Sequence, residues 1–171
     1  MHAAHTRDGV EYLIRPIRPD DLEREREFVS GLSEESRYNR LMYSVHEATD
    51  ALLLPLVNID YRQHMALVAV REAGGREMFL GVARYAAADR GRHEFAVVVA
   101  DAWQGRGIAS QLLIDLFMHA RKHGLTELFG TVLTGNARML SLVRHLGMDI
   151  HRDGDDAGLL TVFKRLDRDP D

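Results

Sequence analysis

The 171-residue sequence contains no cysteine. This absence excludes disulfide bonds, thiolate metal sites and a cysteine nucleophile, so any chemistry must use other side chains. Long apolar runs are also missing, because the longest stretches, such as residues 65–70, are far shorter than the roughly 20 residues that span a bilayer. The first residues are polar and do not resemble a secretory signal peptide. We therefore expect a cytoplasmic protein that does not contact a membrane.

A surplus of positive charge is missing as well. The 22 Lys and Arg residues are outnumbered by 26 Asp and Glu residues, which gives a formal net charge of -4. The general electrostatic attraction to nucleic acid is therefore absent, and only a local basic pocket would bind a polyanion. Hydrophobic residues make up 46% of a chain of one-domain length, which predicts a packed core. We expect one domain over residues 10–166, flexible termini at 1–9 and 167–171, and no nucleic-acid partner.

Hydrophobic periodicity predicts a mixed α/β domain. In the first half, Asp20 is the expected N-cap of a helix, and further helical stretches begin at Ser33 and Thr49. In the second half, the most regular apolar helix face is followed by Gly124, a typical helix end. The predicted strands are 12–17, 65–70, 78–85, 94–99, 128–133 and two last strands that flank 153–158. The predicted helices of the second half are 109–124 and 136–146.

One glycine-containing loop carries the clearest functional signal. Gln104-Gly105-Arg106-Gly107 stands between a predicted strand and the helix with the most regular apolar face. The first turn of a helix leaves backbone N–H groups without partners, and these groups bind phosphate with help from the helix dipole. Glycines let an anion approach the backbone without interference from Cβ. The loop therefore predicts a phosphate site or a tight turn without a ligand, in which Arg106 reaches a phosphate or remains in solvent.

Two common phosphate-binding motifs do not fit this loop. A Walker loop requires Lys followed by Ser or Thr after its last glycine, and no such pair occurs here. A dinucleotide-binding fingerprint requires Gly or Ala where Ser110 stands. It also requires several further strand–helix units, for which too little chain remains. The phosphate site, if present, belongs to another class.

The loop and its surroundings resemble the Gcn5-related N-acetyltransferases, the GNAT superfamily. Gln104, Gly107 and Ala109 match the Gln/Arg-x-x-Gly-x-Gly/Ala signature of that superfamily, and Gly147-Met148 stands where it usually has Gly-Phe. The resemblance implies a GNAT-like α/β fold with a mixed, largely antiparallel sheet of about six to seven strands, and acetyl-CoA as the acyl donor without a metal. It implies these coenzyme-binding residues: Val97, Val98, Val99, Gln104, Gly105, Arg106, Gly107, Ile108, Ala109, Ser110 and Asn136.

Further segments resemble the acetyltransferase portion of bacterial protein-lysine acetyltransferases of the Pat type. They are Ser36-Arg37-Tyr38, Asn58-Ile59-Asp60-Tyr61, Met65-Ala66-Leu67-Val68-Ala69 and Glu94-Phe95-Ala96-Val97-Val98. This resemblance implies an amine acceptor such as a protein lysine, for example on an acyl-CoA synthetase, and it allows a homodimer. Many such enzymes also contain a synthetase-like region or a cyclic-nucleotide-binding domain; neither is encoded here, so we expect no regulation by one.

Two other functions stay open at this point. A small-molecule amine is the alternative acceptor, because the segments that would bind the acceptor carry the weakest patterns. A non-catalytic acyl-CoA-binding sensor is the second alternative. It is suggested by Val143, which stands where many family members have a tyrosine that acts as general acid. Ser141 would point elsewhere on the helix, so we assign no general acid.

Transfer to an amine requires a base, because lysine, with a pKa of about 10.4, is almost fully protonated at neutral pH. The Pat-type resemblance places a catalytic glutamate at Glu94. On a strand, Glu94 and Val98 share one face, so the carboxylate would project into a cleft while Phe95 and Val97 pack against a helix. Burial would raise its pKa toward a useful value. An exposed strand-end carboxylate is the alternative.

Other polar residues are weaker candidates. The resemblance to the GNAT superfamily implies that an N–H group within residues 97–99 stabilises the oxyanion of the reaction. His119 and His123 have the spacing of paired metal ligands, but no third ligand is evident and we predict no metal site. The acceptor cleft would be lined by Asp60, Tyr61 and Tyr38, unless these residues cap loops or pack in the core.

Overall fold

One mixed sheet organises the chain, which a computed structural model describes over residues 1–38, 48–152 and 157–167. The strands are β1 (His2–His5), β2 (Glu11–Pro16), β3 (His64–Ala73), β4 (Arg76–Ala87), β5 (His93–Val99), β6 (Glu127–Leu133), β7 (Asp149–His151) and β8 (Leu159–Arg165). They lie in the order β1-β2-β3-β4-β5-β6-β8-β7. Neighbouring strands are antiparallel except β5 and β6, which are parallel. The predicted mixed, largely antiparallel sheet is confirmed, with eight strands instead of six or seven.

Helices lie on both faces of this sheet. In the described part of the chain they are α1 (Leu22–Ser30), α2 (Glu34–Tyr38), α3 (Asp50–Val57), α4 (Ile108–Lys122) and α5 (Ala137–His145). Leu112 of α4 and Val143 of α5 belong to the core on one face, and Phe28 of α1 and Leu53 of α3 belong to the core on the other. None of the described helices is long and apolar enough to cross a membrane. The predicted continuation of α2 toward Tyr43 lies outside the described residues.

The N-terminus departs from the prediction of a flexible segment over residues 1–9. His2–His5 forms β1, the edge strand of the sheet, and pairs with β2. The turn that follows is closed by Thr6, whose N–H donates to the Val10 carbonyl at 2.9 Å and whose hydroxyl accepts from the Val10 N–H at 2.9 Å. Four residues that alternate His and Ala carry little strand propensity, so pairing with β2 decides their conformation. The prediction is wrong here, and residues 168–171 lie outside the described residues.

The segment before α1 is fixed by a buried carboxylate. Asp21 is buried, and its two oxygens accept hydrogen bonds from the Arg15 guanidinium of β2, both at 2.8 Å. It also accepts from the Arg18 N–H at 2.8 Å. Asp20, the predicted N-cap, is exposed in a 3-10 turn, and Asp21 occupies the N-cap position of α1. The prediction at Asp20 is therefore wrong, because the buried ion pair with Arg15 of β2 selects Asp21.

The parallel strands β5 and β6 separate soon after they meet. In the described residues, Glu94 of β5 is paired with Phe129 of β6. Close approach at this point depends on Gly130, because a Cβ there would lie 3.0 Å from the Phe95 ring and 3.2 Å from the Phe95 carbonyl oxygen. Beyond this point the last residues of β5 have β4 on one side only. The other side opens as a gap in the sheet.

Candidate active site

The gap beside β5 continues into a cleft of about 900 Å³. The cleft is formed by the end of β5, the loop into α4, one side of α5 and residues from two earlier segments. Its lining residues are Val97, Val98, Val99, Asp101, Trp103, Gln104, Gly105, Gly107, Ile108, Ala109, Gly135, Asn136, Ala137, Arg138, Met139, Ser141, Leu142 and His145, with Arg7, Ser33, Glu35 and Ser36 from earlier in the chain.

The structure brings most of the predicted coenzyme-binding residues to this cleft. Nine of them line it: Val97, Val98, Val99, Gln104, Gly105, Gly107, Ile108, Ala109 and Asn136. Ser110 and Arg106 are not among the lining residues. The Arg106 guanidinium instead lies over the Trp103 ring, 4.7 Å from its centroid, and 3.7 Å from the Asp8 carboxylate. The roles of all these residues remain predictions, but Arg106 faces other protein groups.

The end of β5 directs two backbone positions toward the gap. Hydrogen bonds alternate along an antiparallel ladder, so every second residue turns its N–H and C=O groups away from the partner strand. The Ala100 N–H donates to the Leu80 carbonyl of β4 at 2.8 Å. In the β4–β5 register this places the backbone groups of Val98 toward β4 and those of Val97 and Val99 toward the gap. The N–H groups of Val97 and Val99 are therefore the two candidate oxyanion donors.

The Gln104 side chain joins three segments around the cleft. Its Nε2 donates to the Val99 carbonyl at 3.0 Å and to the Ser36 hydroxyl of α2 at 3.1 Å. Its Oε1 accepts from the Arg138 guanidinium of α5 at 2.7 Å. The Ser36 hydroxyl donates in turn to Asp101 at 2.8 Å. The side chain of this signature residue therefore holds β5, α2 and α5 together, and the sequence pattern does not reveal these partners.

The loop before α4 has the backbone geometry of an anion site. Gly105 and Gly107 have positive φ angles of 75° and 91°, and Gly107 is the N-cap of α4. The N–H groups of the first helical turn have no partner inside the helix. Asn136 has a comparable local role at the start of α5, where its side-chain oxygen accepts from the Met139 N–H at 3.1 Å. The loop thus combines glycines at positive φ angles with first-turn amides that lack a helical partner, as phosphate binding requires.

Glu94 lies at the start of β5, on the sheet face opposite to Phe95 and Val97. Val98 shares the face of Glu94 and packs into the core beneath α1 and α3, so the predicted alternation is confirmed. The Glu94 side chain is half-buried, and it does not line the cleft. Burial raises the pKa of the Glu94 carboxyl above its ordinary value, and the nearby Arg92 guanidinium opposes that rise. The raised pKa suits a proton acceptor at neutral pH.

The residues of α5 that line the cleft differ from those that the sequence suggests. Val143, the usual tyrosine position, is fully buried in the core. Ser141 and His145, one helical turn apart, line the cleft. The expectation that Ser141 points away from the site is wrong, because Ser141 lines the cleft and Val143 does not. The side chain at position 143 has no access to the cleft.

The remaining candidates have structural partners. Asp60 accepts the N–H groups of Arg62 and His64 at 3.0 and 2.9 Å, which caps its loop. The Tyr61 hydroxyl donates to the Ile17 carbonyl at 2.8 Å. The side chain of Tyr38 lies outside what the structure describes. Asp60 and Tyr61 therefore organise the loop before β3.

Two histidines at the end of α4, one in the last turn and one at the C-cap, are stacked on one another. The ring centroids of His119 and His123 are 4.4 Å apart with 13° between the ring planes. Over residues 1–38, 48–152 and 157–167, no group of three or more His, Asp or Glu side chains is placed to hold a metal ion. The pair is a packing contact on the helix surface.

The part of the chain that forms this cleft matches a known family. The family model described as an acetyltransferase (GNAT) domain matches residues 12–149. The chain belongs to the GNAT acetyltransferase family. The predictions of an acyltransferase, and of acetyl-CoA as its acyl donor, are confirmed at the level of this family.

Two curated relatives of this GNAT chain are bacterial acetyltransferases. An acetyltransferase of Pseudomonas aeruginosa is 40% identical over 151 residues, which cover 88% of this chain and 81% of the relative. The acetyltransferase Pat of Mycolicibacterium smegmatis is 34% identical over 143 residues, covering 82% of this chain and 42% of the relative. The GNAT chain thus corresponds to less than half of Pat.

Solved structures show the same fold. The GNAT domain of S. lividans PAT has a TM-score of 0.84 and 27% identity, with 96% of each chain covered. The yncA protein of Salmonella typhimurium, solved with acetyl-CoA, has a TM-score of 0.70 and 20% identity over 92% of this chain and 95% of that one. At that identity the second likeness concerns the fold alone.

Replacing Gly107 by Ala should weaken acetyl-CoA binding by about tenfold. The φ angle of 91° strains any residue with a Cβ, at a cost of about 1–2 kcal/mol, and relief of that strain tilts the amides of the α4 N-terminus. Steric exclusion is minor, since the nearest atom to the new Cβ is Arg7 Cγ at 3.6 Å. Calorimetric titration checks the affinity. Gly91→Ala, at a φ of 70° outside the cleft, is the control, and equal effects of the two changes on affinity would contradict the prediction.

Proposed function

We propose that this GNAT chain transfers acetyl from acetyl-CoA to the side-chain amine of a protein lysine, with Glu94 as general base. The observation that carries the proposal is the place of Glu94: a half-buried carboxylate at the register pair after which β5 and β6 separate. Burial raises the pKa of its carboxyl above the ordinary value, which is the direction that makes a carboxylate a better proton acceptor.

The geometry of the α4 loop, the end of β5 and the start of α5 supports acetyl-CoA as the acyl donor. The loop from Gln104 to Ser110 would hold the pyrophosphate through the amides at the start of α4. The N–H and C=O groups of Val97 and the N–H group of Val99 point toward the gap and would hold the pantetheine arm as a strand partner would. Asn136, which caps α5, lines the same cleft.

The reaction that we propose is direct transfer. The lysine nitrogen attacks the thioester carbon and its proton passes toward Glu94, while an N–H of Val97 or Val99 stabilises the oxygen. The C–S bond then breaks, and coenzyme A leaves as a thiolate that takes a proton from water. Glu94 precedes Val97 by three residues, about 10 Å along a strand, so we place a bridging water between the amine and the carboxylate.

Two carboxylates in the cleft would attract a cationic acceptor. Glu35 and Asp101 both line it. Hydrogen bonds from Ser33 and Ser36 hold the pKa of Asp101 below its ordinary value, so this carboxylate is ionised at neutral pH. A lysine ammonium would be attracted to these groups before it loses its proton. The resemblance to Pat-type enzymes supports the same acceptor class.

A small amino-acid derivative is the second candidate acceptor, because one relative favours it. The L-methionine sulfoximine/L-methionine sulfone acetyltransferase of Pseudomonas aeruginosa is 32% identical over 120 residues, which cover 64% of this chain and 69% of that enzyme. Both candidates share the donor, the base and the direct attack. They differ in whether the acceptor amine belongs to a protein side chain or to a free amino acid.

An acceptor panel should show preference for protein lysines. The protein is incubated with acetyl-CoA and, in separate reactions, a folded acyl-CoA synthetase, lysine-containing peptides, free lysine and methionine sulfone. We expect kcat/KM for the folded protein or the peptides to exceed that for free amino acids by about 100-fold, because binding away from the amine contributes to catalysis. Mass spectrometry locates the acetyl group. If methionine sulfone is the only acceptor that is acetylated, the protein-lysine proposal is wrong and a small amino-acid derivative is the acceptor.

A further inference from the structure

Arg7 reaches the coenzyme cleft from an unexpected part of the chain. It lies in the turn between β1 and β2, and its side chain lines the cleft. A Cβ built on Gly107 would lie 3.6 Å from Arg7 Cγ and 3.7 Å from Arg7 Nε. The Arg7 side chain therefore passes directly over the N-cap of α4, beside the amides of the first helical turn.

Two contacts fasten this turn to the loop before α4. The Arg7 N–H donates to the Arg106 carbonyl at 2.9 Å. The Asp8 carboxylate lies 3.7 Å from the Arg106 guanidinium. Within the turn, the Gly9 N–H donates to the Thr6 carbonyl at 3.0 Å, and Thr6 is buried. The backbone of the turn thus fixes the point from which Arg7 extends.

The Arg7 guanidinium has no ion-pair or hydrogen-bond partner among the described residues. The other arginines of the cleft region do have partners, since Arg106 faces Asp8 and Trp103, and Arg138 donates to Gln104. An unpaired guanidinium beside exposed backbone N–H groups is suited to an anion with several oxygens. Arg7 is therefore the cation that the cleft offers to a phosphate.

We propose that Arg7 binds the pyrophosphate of acetyl-CoA and that the β1–β2 turn is part of the coenzyme site. This inference rests on the placement of acetyl-CoA in the cleft and is independent of the acceptor. The planar guanidinium would bind two phosphate oxygens next to the α4 amides. Coenzyme binding then also holds β1 in place, because Arg7 follows that strand directly in the chain.

Arg7→Ala separates this role from other effects when it is tested with three acetyl donors. They are acetyl-CoA, acetyl-dephospho-CoA, which keeps the pyrophosphate but lacks the 3′-phosphate, and S-acetylpantetheine, which has no phosphate. We expect kcat/KM to fall about tenfold with the first two donors and to stay within twofold with the third. The Kd of acetyl-CoA, measured by calorimetry, should rise by the same factor. Arg152→Ala, an exposed arginine outside the cleft, should change none of these values.

Three outcomes overturn the proposal. An unchanged kcat/KM with acetyl-CoA shows that Arg7 binds no phosphate. An effect that disappears with acetyl-dephospho-CoA moves the contact to the 3′-phosphate. An equal loss with S-acetylpantetheine shows that the change acts on the fold. If the unsubstituted protein fails to bind acetyl-CoA, the placement of the coenzyme is wrong, which is a different failure.

Hydrogen exchange on the unsubstituted protein gives an independent readout. Acetyl-CoA should slow exchange of the Arg7 N–H, which donates to the Arg106 carbonyl, and of the amides of β1 that pair with β2. In Arg7→Ala the slowing at β1 should be lost at saturating acetyl-CoA, whereas the slowing in the α4 loop should remain. Equal protection of β1 in both proteins contradicts the proposed coupling.

Discussion

Replacing Glu94 by Gln should lower kcat by about 10² to 10⁴ at pH 7, the usual contribution of a general base. Glutamine keeps the shape of the side chain at the junction of β5 and β6 but does not accept the amine proton. The donor loop lies at the other end of β5, so the Kd of acetyl-CoA should change less than about twofold. Single-turnover kinetics with a lysine peptide and calorimetric titration measure the two quantities separately.

The effect of Glu94→Gln should depend on pH in a defined direction. Burial raises the pKa of Glu94, so in the unsubstituted enzyme kcat should fall as the pH drops through that raised pKa and the carboxylate is protonated. The variant should lack this acidic limb. Its deficit should shrink at alkaline pH, because more lysine, with a pKa of about 10.4, then arrives deprotonated.

The matched control is Glu72→Gln. Glu72 is an exposed glutamate of the β3–β4 hairpin, outside the cleft, so its replacement should leave kcat and its pH profile unchanged. A Glu94→Gln enzyme with near-normal kcat at pH 7 would show that Glu94 is structural. The amine proton would then leave through water or through another carboxylate.

Replacing Asp21 by Asn should lower the free energy of unfolding by about 3–5 kcal/mol, as expected when one partner of a buried ion pair is removed. Asp21 accepts two hydrogen bonds from the buried Arg15 guanidinium and one from the Arg18 N–H. Asparagine has the same size but carries no charge, so the Arg15 charge would lose its main buried partner. Urea unfolding followed by circular dichroism measures the change.

The pH dependence of stability tests the same pair. Burial alone would raise the pKa of Asp21, but hydrogen bonds from Arg15 and Arg18 outweigh it and hold this pKa below its ordinary value. A lowered folded-state pKa means that the stabilisation is complete above the unfolded value of about 3.9 and is lost as the pH falls through the folded value. In Asp21→Asn, the part of the stability loss at acidic pH that comes from protonation of Asp21 should be absent.

Asp20→Asn is the control for Asp21→Asn. Asp20 is the preceding residue and is exposed, so the same chemical change there should alter the free energy of unfolding by less than about 0.5 kcal/mol. Equal destabilisation by both changes would mean that the negative charge near the start of α1 matters, and not the buried pair. Stability of Asp21→Asn close to that of the unsubstituted protein would contradict the role given to Arg15–Asp21.

The sequence is most informative where local chemistry determines local structure. The apolar face of α4 repeats with the helical period, and the glycines before it permit positive φ angles that other residues adopt at a cost, so that segment is predictable without any contact. The alternation of β5 similarly fixes which face carries Glu94 and which carries Val97. These local features are also those that carry the resemblance to the GNAT family.

What only the tertiary structure decided depends on contacts between separate elements of the fold. Arg7 lies over Gly107, Gln104 binds Ser36, and Arg15 selects Asp21 in place of Asp20. β1 exists as a strand because β2 supplies its hydrogen-bond partners. Side-chain identity alone does not choose among such partners, because their proximity is set by the packing of the whole sheet. The sequence determined the family, the loop and the candidate base, and the packing decided which charged groups meet in the cleft.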